Sequence, residues 1–140
     1  MKLFKLELYT PYCRFFSDEI KAITLTLTDG DITVYADHSF LTAPVMAGFL
    51  RIKTKNDEWK TAFIADGILE VKAHSTIIMA DAAEWPEDID RERAEAALAA
   101  ANEALDVSTF KFETSTAEAA ARRAKFRIKV KAAASVPPQD

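Results

Sequence analysis

The side chains best suited to chemistry are cations and carboxylates gathered in the last third of the chain. The segment Ile89-Asp90-Arg91-Glu92-Arg93-Ala94 sets Asp90 and Arg93 three residues apart, with Ala94 one turn on from Asp90, so on a helix they share a face. Further on, Arg122, Arg123, Lys125, Arg127, Lys129 and Lys131 crowd into ten residues. Arg123 and Arg127 stack one turn apart, and packed against the earlier segment they would set two guanidinium forks beside Arg93. Such forks take phosphate oxygens two at a time, which suits a polyphosphate. The same stripe also suits an acidic protein surface, or plain solvent. The earlier segment has its own plainer use, a solvated helix start with charge pairs such as Glu87 with Arg91.

Other chemistry is excluded. With only three glycines there is no Gly-rich loop leading into Lys-Ser or Lys-Thr, hence no P-loop. His38 and His74 are isolated and fit no metal-ligand spacing. Cys13 is the only cysteine, which rules out an internal disulfide and a CxxC knuckle. Its neighbours, Tyr12, Arg14, Phe15 and Phe16, predict a buried structural thiol. No Ser-His-Asp set stands out, so no enzyme active site is expected. The net charge of -4 gives no general pull toward nucleic acid or anionic lipid. No apolar run approaches the ~20 residues of a membrane span. The start, MKLFKLELYT, lacks the features of a secretory or transit segment.

Two kinds of element must position these groups. Up to about Asp81 the pattern has period two: Leu6 and Leu8 alternate with Lys5 and Glu7, Ile23, Leu25 and Leu27 with threonines, and Leu50 and Ile52 with Arg51 and Lys53. Thr10-Pro11, Asp29-Gly30, Asn56-Asp57 and Asp66-Gly67 read as turns, so the region predicts an antiparallel sandwich or barrel. The period changes at Trp85-Pro86. Pro86 opens a helix whose first turn holds Glu87, Asp88 and Asp90, and which runs to Leu105. After a break near 106–109, a second Ala-rich helix covers about Ser115 to Ala132, with Ser115 and Thr116 as caps. The two helices form a hairpin, and the tail is expected to be disordered. Alanine favours helix but buries little area, at ~0.8 kcal/mol per CH₂, so the helices persist while their docking is weak. A ligand at a hundred times its dissociation constant adds ~2.7 kcal/mol, enough to decide such an equilibrium.

Gly67-Ile68-Leu69-Glu70-Val71, Ile77-Ile78-Met79-Ala80-Asp81-Ala82-Ala83-Glu84 and Asp88-Ile89-Asp90-Arg91-Glu92-Arg93-Ala94 together resemble the epsilon subunit family of the F-type ATP synthase. The likeness covers nearly the whole chain, more loosely at Gly30 to His38. It implies an all-β N-terminal sandwich of about ten strands (1–84) that holds the gamma subunit and sits on the c-subunit ring. It implies a C-terminal α-helical hairpin (85–132) and a disordered tail (133–140). The implied function is that of a non-catalytic central-stalk rotor subunit of a proton- or sodium-translocating synthase, which inhibits ATP hydrolysis when the hairpin extends. The alternative is a free-standing ATP-sensing module outside a synthase.

No cofactor is implied beyond ATP as a regulatory ligand. Members that bind it use an Ile/Leu-Asp-x-x-Arg-Ala box, which carries over to Ile89, Asp90, Arg93 and Ala94, with Glu84 before it and Arg123 and Arg127 on the second helix. Arg122, Arg123, Lys125 and Arg127 are the implied contacts to the beta (and alpha) subunits. Asp31 and His38 are the implied contacts to the c-ring and gamma. The implied location is peripheral, on the cytoplasmic face of a bacterial inner membrane or the stromal face of a thylakoid. The chain departs from the family pattern in places. Ala100 stands where ATP-binding members can carry another arginine, Asp66-Gly67 replaces Gly-Gly, Ala36-Asp37 replaces Pro-Gly, and Phe40 replaces a proline.

Overall fold

Phe4, Leu6 and Leu8 are buried while Lys5, Glu7 and Tyr9 face outward, and this alternation repeats through the first 84 residues. In the computed structural model, which describes residues 2–27, 30–107 and 111–133 (without the side chains of 111–114), it yields six strands. They are β1 (Phe4–Tyr9), β2 (Arg14–Leu27), β3 (Gly30–Tyr35), β4 (Leu41–Thr54), β5 (Trp59–Val71) and β6 (Ser75–Glu84). Their order is β1-β6-β5-β4-β2-β3, and β1 also pairs with β2, so five strands close into a ring with β3 on the outside of β2. Leu6, Leu8, Ile23, Leu25, Leu50 and Ile64 fill the interior and are completely buried.

The sandwich is as expected, but with six continuous strands rather than about ten. The reason is length. β2, β4 and β5 run 13 to 14 residues each, well beyond the usual ~5–6, and turn corners instead of stopping. β2 pairs with β1 over Arg14–Ile20, then with β3 over Ala22–Leu27, and its register against β4 shifts between Ile20 and Ala22. A second difference is that β1 and β6 run parallel, Lys5 to Tyr9 beside Ser75 to Met79. The four intervening strands supply the long crossover that parallel pairing needs.

Asp66-Gly67 is not a turn. It lies inside β5, where Gly67 pairs with Ala80, and a Cβ on Gly67 would fall 2.0 Å from the Met79 carbonyl oxygen. Glycine is there because two backbones touch. Cys13, expected to be buried, is exposed. It sits in the β1–β2 turn, where Thr10 Oγ1 accepts the Tyr12 and Cys13 N–H groups; Tyr12 is exposed beside it, while Phe15 and Phe16 pack on Trp85.

Past β6, Trp85 stacks on Phe15 at 4.6 Å and pins the junction to the head. The helix expected from Pro86 arrives in two pieces, a single 3₁₀ turn (Pro86–Asp88) and then α1 (Arg91–Val107). They are separated because Ile89 is extended (φ -82, ψ 125), a conformation that buries its side chain. Glu87 therefore does not share a helix with Arg91, whose partner is Glu95 at 3.0 Å. The second helix, α2, spans Lys111–Ala133. Ser115 and Thr116 lie inside it rather than capping it, because nothing in 111–114 breaks a helix. α2 lies against β4 and β5. The helices meet on small residues, with Ala94 and Ala101 of α1 and Ala117, Ala121 and Ala124 of α2 all buried. Asp29, Ser108, Thr109 and the tail from 134 onward, with the expectations placed on them, lie outside the described residues.

Two outcomes are expected. Gly67→Ala should cost about 3 kcal/mol in denaturant unfolding, since a carbonyl must move. Gly48→Ala, whose Cβ would meet only the Thr26 side chain at 2.9 Å, should cost clearly less. In acid, Asp57 and Asp37 matter. The hydrogen bond from Lys21 holds the Asp57 carboxyl below the usual carboxylate range, as the bond from Lys2 does for Asp37. A depressed folded pKa gives stability that is present above the unfolded value of ~4 and lost as pH falls through the folded one. The melting temperature should fall below pH ~4, less steeply in Asp57→Asn, which keeps a residue tolerant of the φ of 64 found there.

Candidate functional site

The junction between the halves creates a cleft. The end of β6, the 3₁₀ turn, the start of α1 and the middle of α2 surround about 510 Å³, lined by Glu84, Asp88, Asp90, Arg93, Ala94, Ala97 and Arg127. Each element delivers its side chain for a local reason. Asp90 is the residue before α1, and its Oδ1 accepts the Arg93 N–H at 3.1 Å while its carbonyl accepts that of Ala94 at 3.0 Å. It is the N-cap, not a first-turn helical residue as its spacing suggested. The cap fixes where α1 starts, and so aims Arg93 and sets the small side chains of Ala94 and Ala97 as the floor.

Arg127 comes from α2. Its Nε donates to Glu84 Oε1 at 2.8 Å, and its guanidinium lies 4.6 Å from the centre of the Phe63 ring. Both partners of this pair are largely shielded, with side chains 28% and 29% exposed. Arg93 is exposed and has no ion pair among the described residues. The cleft thus holds three carboxylates and two guanidiniums, one already neutralised. Arginines suit phosphate oxygens, while carboxylates accept hydrogen bonds from hydroxyl and amino groups. A nucleoside polyphosphate carries both kinds of group. Among the described residues no three carboxylates, histidines or cysteines converge closely enough to hold a metal ion.

The remaining residues singled out from the sequence are dispersed. Arg123 turns away from the cleft, and its Nε and Nη2 both donate to Asp66 Oδ2 on β5, at 3.1 and 2.9 Å. Ile89 is buried with Phe63, Ala47, Ala65 and Val130, the apolar contact that seats the hairpin on the sheet. Arg122 donates to the Ala47 carbonyl at 2.9 Å, and Lys131 to that of Pro86 at 2.9 Å. Of Arg122, Arg123, Lys125 and Arg127, only Lys125 is exposed with no head contact among the described residues. Asp31 and His38 lie at opposite ends of β3. Asp31 accepts from Thr26 Oγ1 at 3.0 Å, and His38 lies in the loop beyond Tyr35 with Nδ1 2.7 Å from the Ser39 carbonyl oxygen.

Sequence reasoning missed Asp88, Ala97 and Asp66. Ala97 was within reach of it, one turn beyond Arg93. Asp66, distant in sequence from Arg123, carried no signal. Replacing Asp90 with Ala should cost about 1 kcal/mol and lower the helical circular dichroism on heating, whereas Asp90→Asn, which can still cap, should cost a few tenths.

Residues 3–86 match the family described as the ATP synthase Delta/Epsilon chain beta-sandwich domain, and residues 87–132 match its long alpha-helix domain. An ATP synthase epsilon chain from Caldanaerobacter subterraneus subsp. tengcongensis is 45% identical over 130 residues, 92% of this chain and 94% of that one. Another from Caldicellulosiruptor bescii is 41% identical over 93% of this chain and 94% of its own. In structure, a chain of the Euglena gracilis mitochondrial ATP synthase OSCP/F1/c-ring assembly superposes with a TM-score of 0.78 at 20% identity, over 96% of this chain and 81% of that one, and so shares its fold.

Proposed function

The chain belongs to the ATP synthase epsilon-chain family, non-catalytic subunits of that enzyme, and from this premise we propose that it is a central-stalk rotor subunit whose hairpin responds to ATP. Residues 1–84 form the coupling head that joins the gamma subunit to the c-subunit ring, with Asp31 and His38 among its contacts. Residues 85–132 form the regulatory arm. Docked, the arm leaves hydrolysis unhindered. Released and extended, it offers Arg122, Arg123, Lys125 and Arg127 to acidic surfaces of the beta and alpha subunits and restrains hydrolysis. The protein works as a peripheral component at the cytoplasmic face of a bacterial inner membrane, and among the described residues no helix is long and apolar enough to cross one.

One observation carries this reading. Three of the four side chains that would meet the catalytic subunits, Arg122, Arg123 and Arg127, are also the ones that hold the arm to the head, beside a cleft containing Arg93 and Arg127. A guanidinium engaged with the head is withheld from another partner, so docking and inhibition exclude each other. ATP favours docking because its phosphates bridge Arg93 of α1 and Arg127 of α2 across the cleft, while Asp90 and Glu84 accept from the nucleoside. Any affinity for the docked arm alone shifts the equilibrium toward it.

Titration calorimetry on the full chain tests the nucleotide. Arg93→Ala should weaken ATP binding about 10- to 100-fold, the loss of one charge-assisted phosphate contact. Ala100→Arg, two turns past Arg93, should strengthen it. Equal heats for wild type and Arg93→Ala would remove ATP from the account. Co-expression with a gamma subunit tests the rotor assignment, and failure to co-purify in fixed ratio would favour a free-standing ATP-sensing module instead.

A further inference from the structure

Arg123 is the odd member of the basic stripe. It is one turn from Arg127 and would be free to reach a ligand, yet both of its donating nitrogens rest on one oxygen of Asp66. The position of that carboxylate is unusually well fixed. Asp66 is inside β5, and the next residue, Gly67, has its backbone pressed against Met79 and Ala80 of β6, so the acceptor does not drift with a loop. The two arginines on this face of α2 are thus each answered by a carboxylate of the head, Arg123 by Asp66 and Arg127 by Glu84. Docking therefore leaves neither of them uncompensated, even with nothing in the cleft.

We propose that Asp66 is a built-in latch: by holding Arg123 outside the cleft it keeps the hairpin docked when no nucleotide is bound. The inference deepens the nucleotide-responsive reading above, and rests on it only where ATP is said to add to the latch by bridging Arg93 and Arg127. The Asp66–Arg123 pair joins the head to the arm, so it exists only in the docked state and its whole strength bears on the docking equilibrium. Its side chains are 41% and 38% exposed, so water and salt screen it. It biases the equilibrium without locking it, and a partner with several carboxylates can still draw the arm away.

The test measures nucleotide-free compactness by a distance between spin labels at the exposed positions Glu58 on the head and Glu103 on α1, in a Cys13→Ser background of the full chain. The released fraction should rise about three- to five-fold in Asp66→Asn, the range open to a screened ion pair. Arg123→Gln should do the same from the other side, and the double variant should open no further than either alone. High salt should open the wild type toward the level of the variants. Nucleotide-free distances unchanged in Asp66→Asn, or opening that simply adds in the double variant, would overturn the proposal. The ATP arm separates the two readings. Recompaction of Asp66→Asn by ATP supports both. Opening without nucleotide, followed by no response to ATP in any variant, retains the latch and discards the nucleotide.

Discussion

A narrow apolar seat holds the two halves of the protein together. Ile89, just ahead of α1, and Val130 of α2 are the aliphatic side chains buried against Phe63, Ala47 and Ala65, with Phe49 and Phe126 at the edge. Fully burying a valine is worth ~1.5–3 kcal/mol, about what a saturating ligand adds to a bound state. A seat of two such side chains outweighs a screened ion pair, yet it is small beside the core of the head. The contrast with the head is sharp. There every long strand is bonded on both sides for part of its length, and the interior is filled by large aliphatic side chains with no accessible surface. One part is held by a full core and the other by a few contacts.

The division between the parts was legible because period is a strong signal. Alternation in Ile23, Leu25 and Leu27, and in Leu50 and Ile52, is what a half-buried strand must show, and an Ala-rich run without Gly or Pro leaves little but helix. Strand endings were harder to read. Gly67 looks like a turn residue in sequence because turns and backbone contacts both need a missing side chain, and only the neighbouring strand tells them apart. Ile89 was absorbed into a helix for a similar reason, since its burial against Phe63 and Val130 overrides a helix start that Pro86 and its acidic followers suggested.

The site shows the same limit in another form. Arg93 and Arg127 line one cleft, because two helices in a hairpin bring such residues within reach. Arg123, grouped with them by spacing and by resemblance, is held on β5, since α2 presents it there and the acceptor is a carboxylate. Spacing along one element fixes which residues share a face. Which acceptor each one meets depends on the opposing element, and here that element is 57 residues away. Cys13 makes the same point in reverse, as it lies exposed in a turn while Phe15 and Phe16, its neighbours in sequence, find their partner in Trp85.

The parallel pairing of β1 with β6 also bears on how the molecule is made. The ring is completed by joining its first strand to its last, so no nascent chain shorter than the head can close it. Until Ser75 to Met79 emerges from the ribosome, one margin of β1 stays open, and contacts this distant in sequence form slowly. The surface that receives α2 belongs to β4 and β5, and β5 finds its second neighbour only when β6 arrives. Biosynthesis thus imposes an order in which the strands emerge before the helices, so that α2, translated after them, meets a completed landing place.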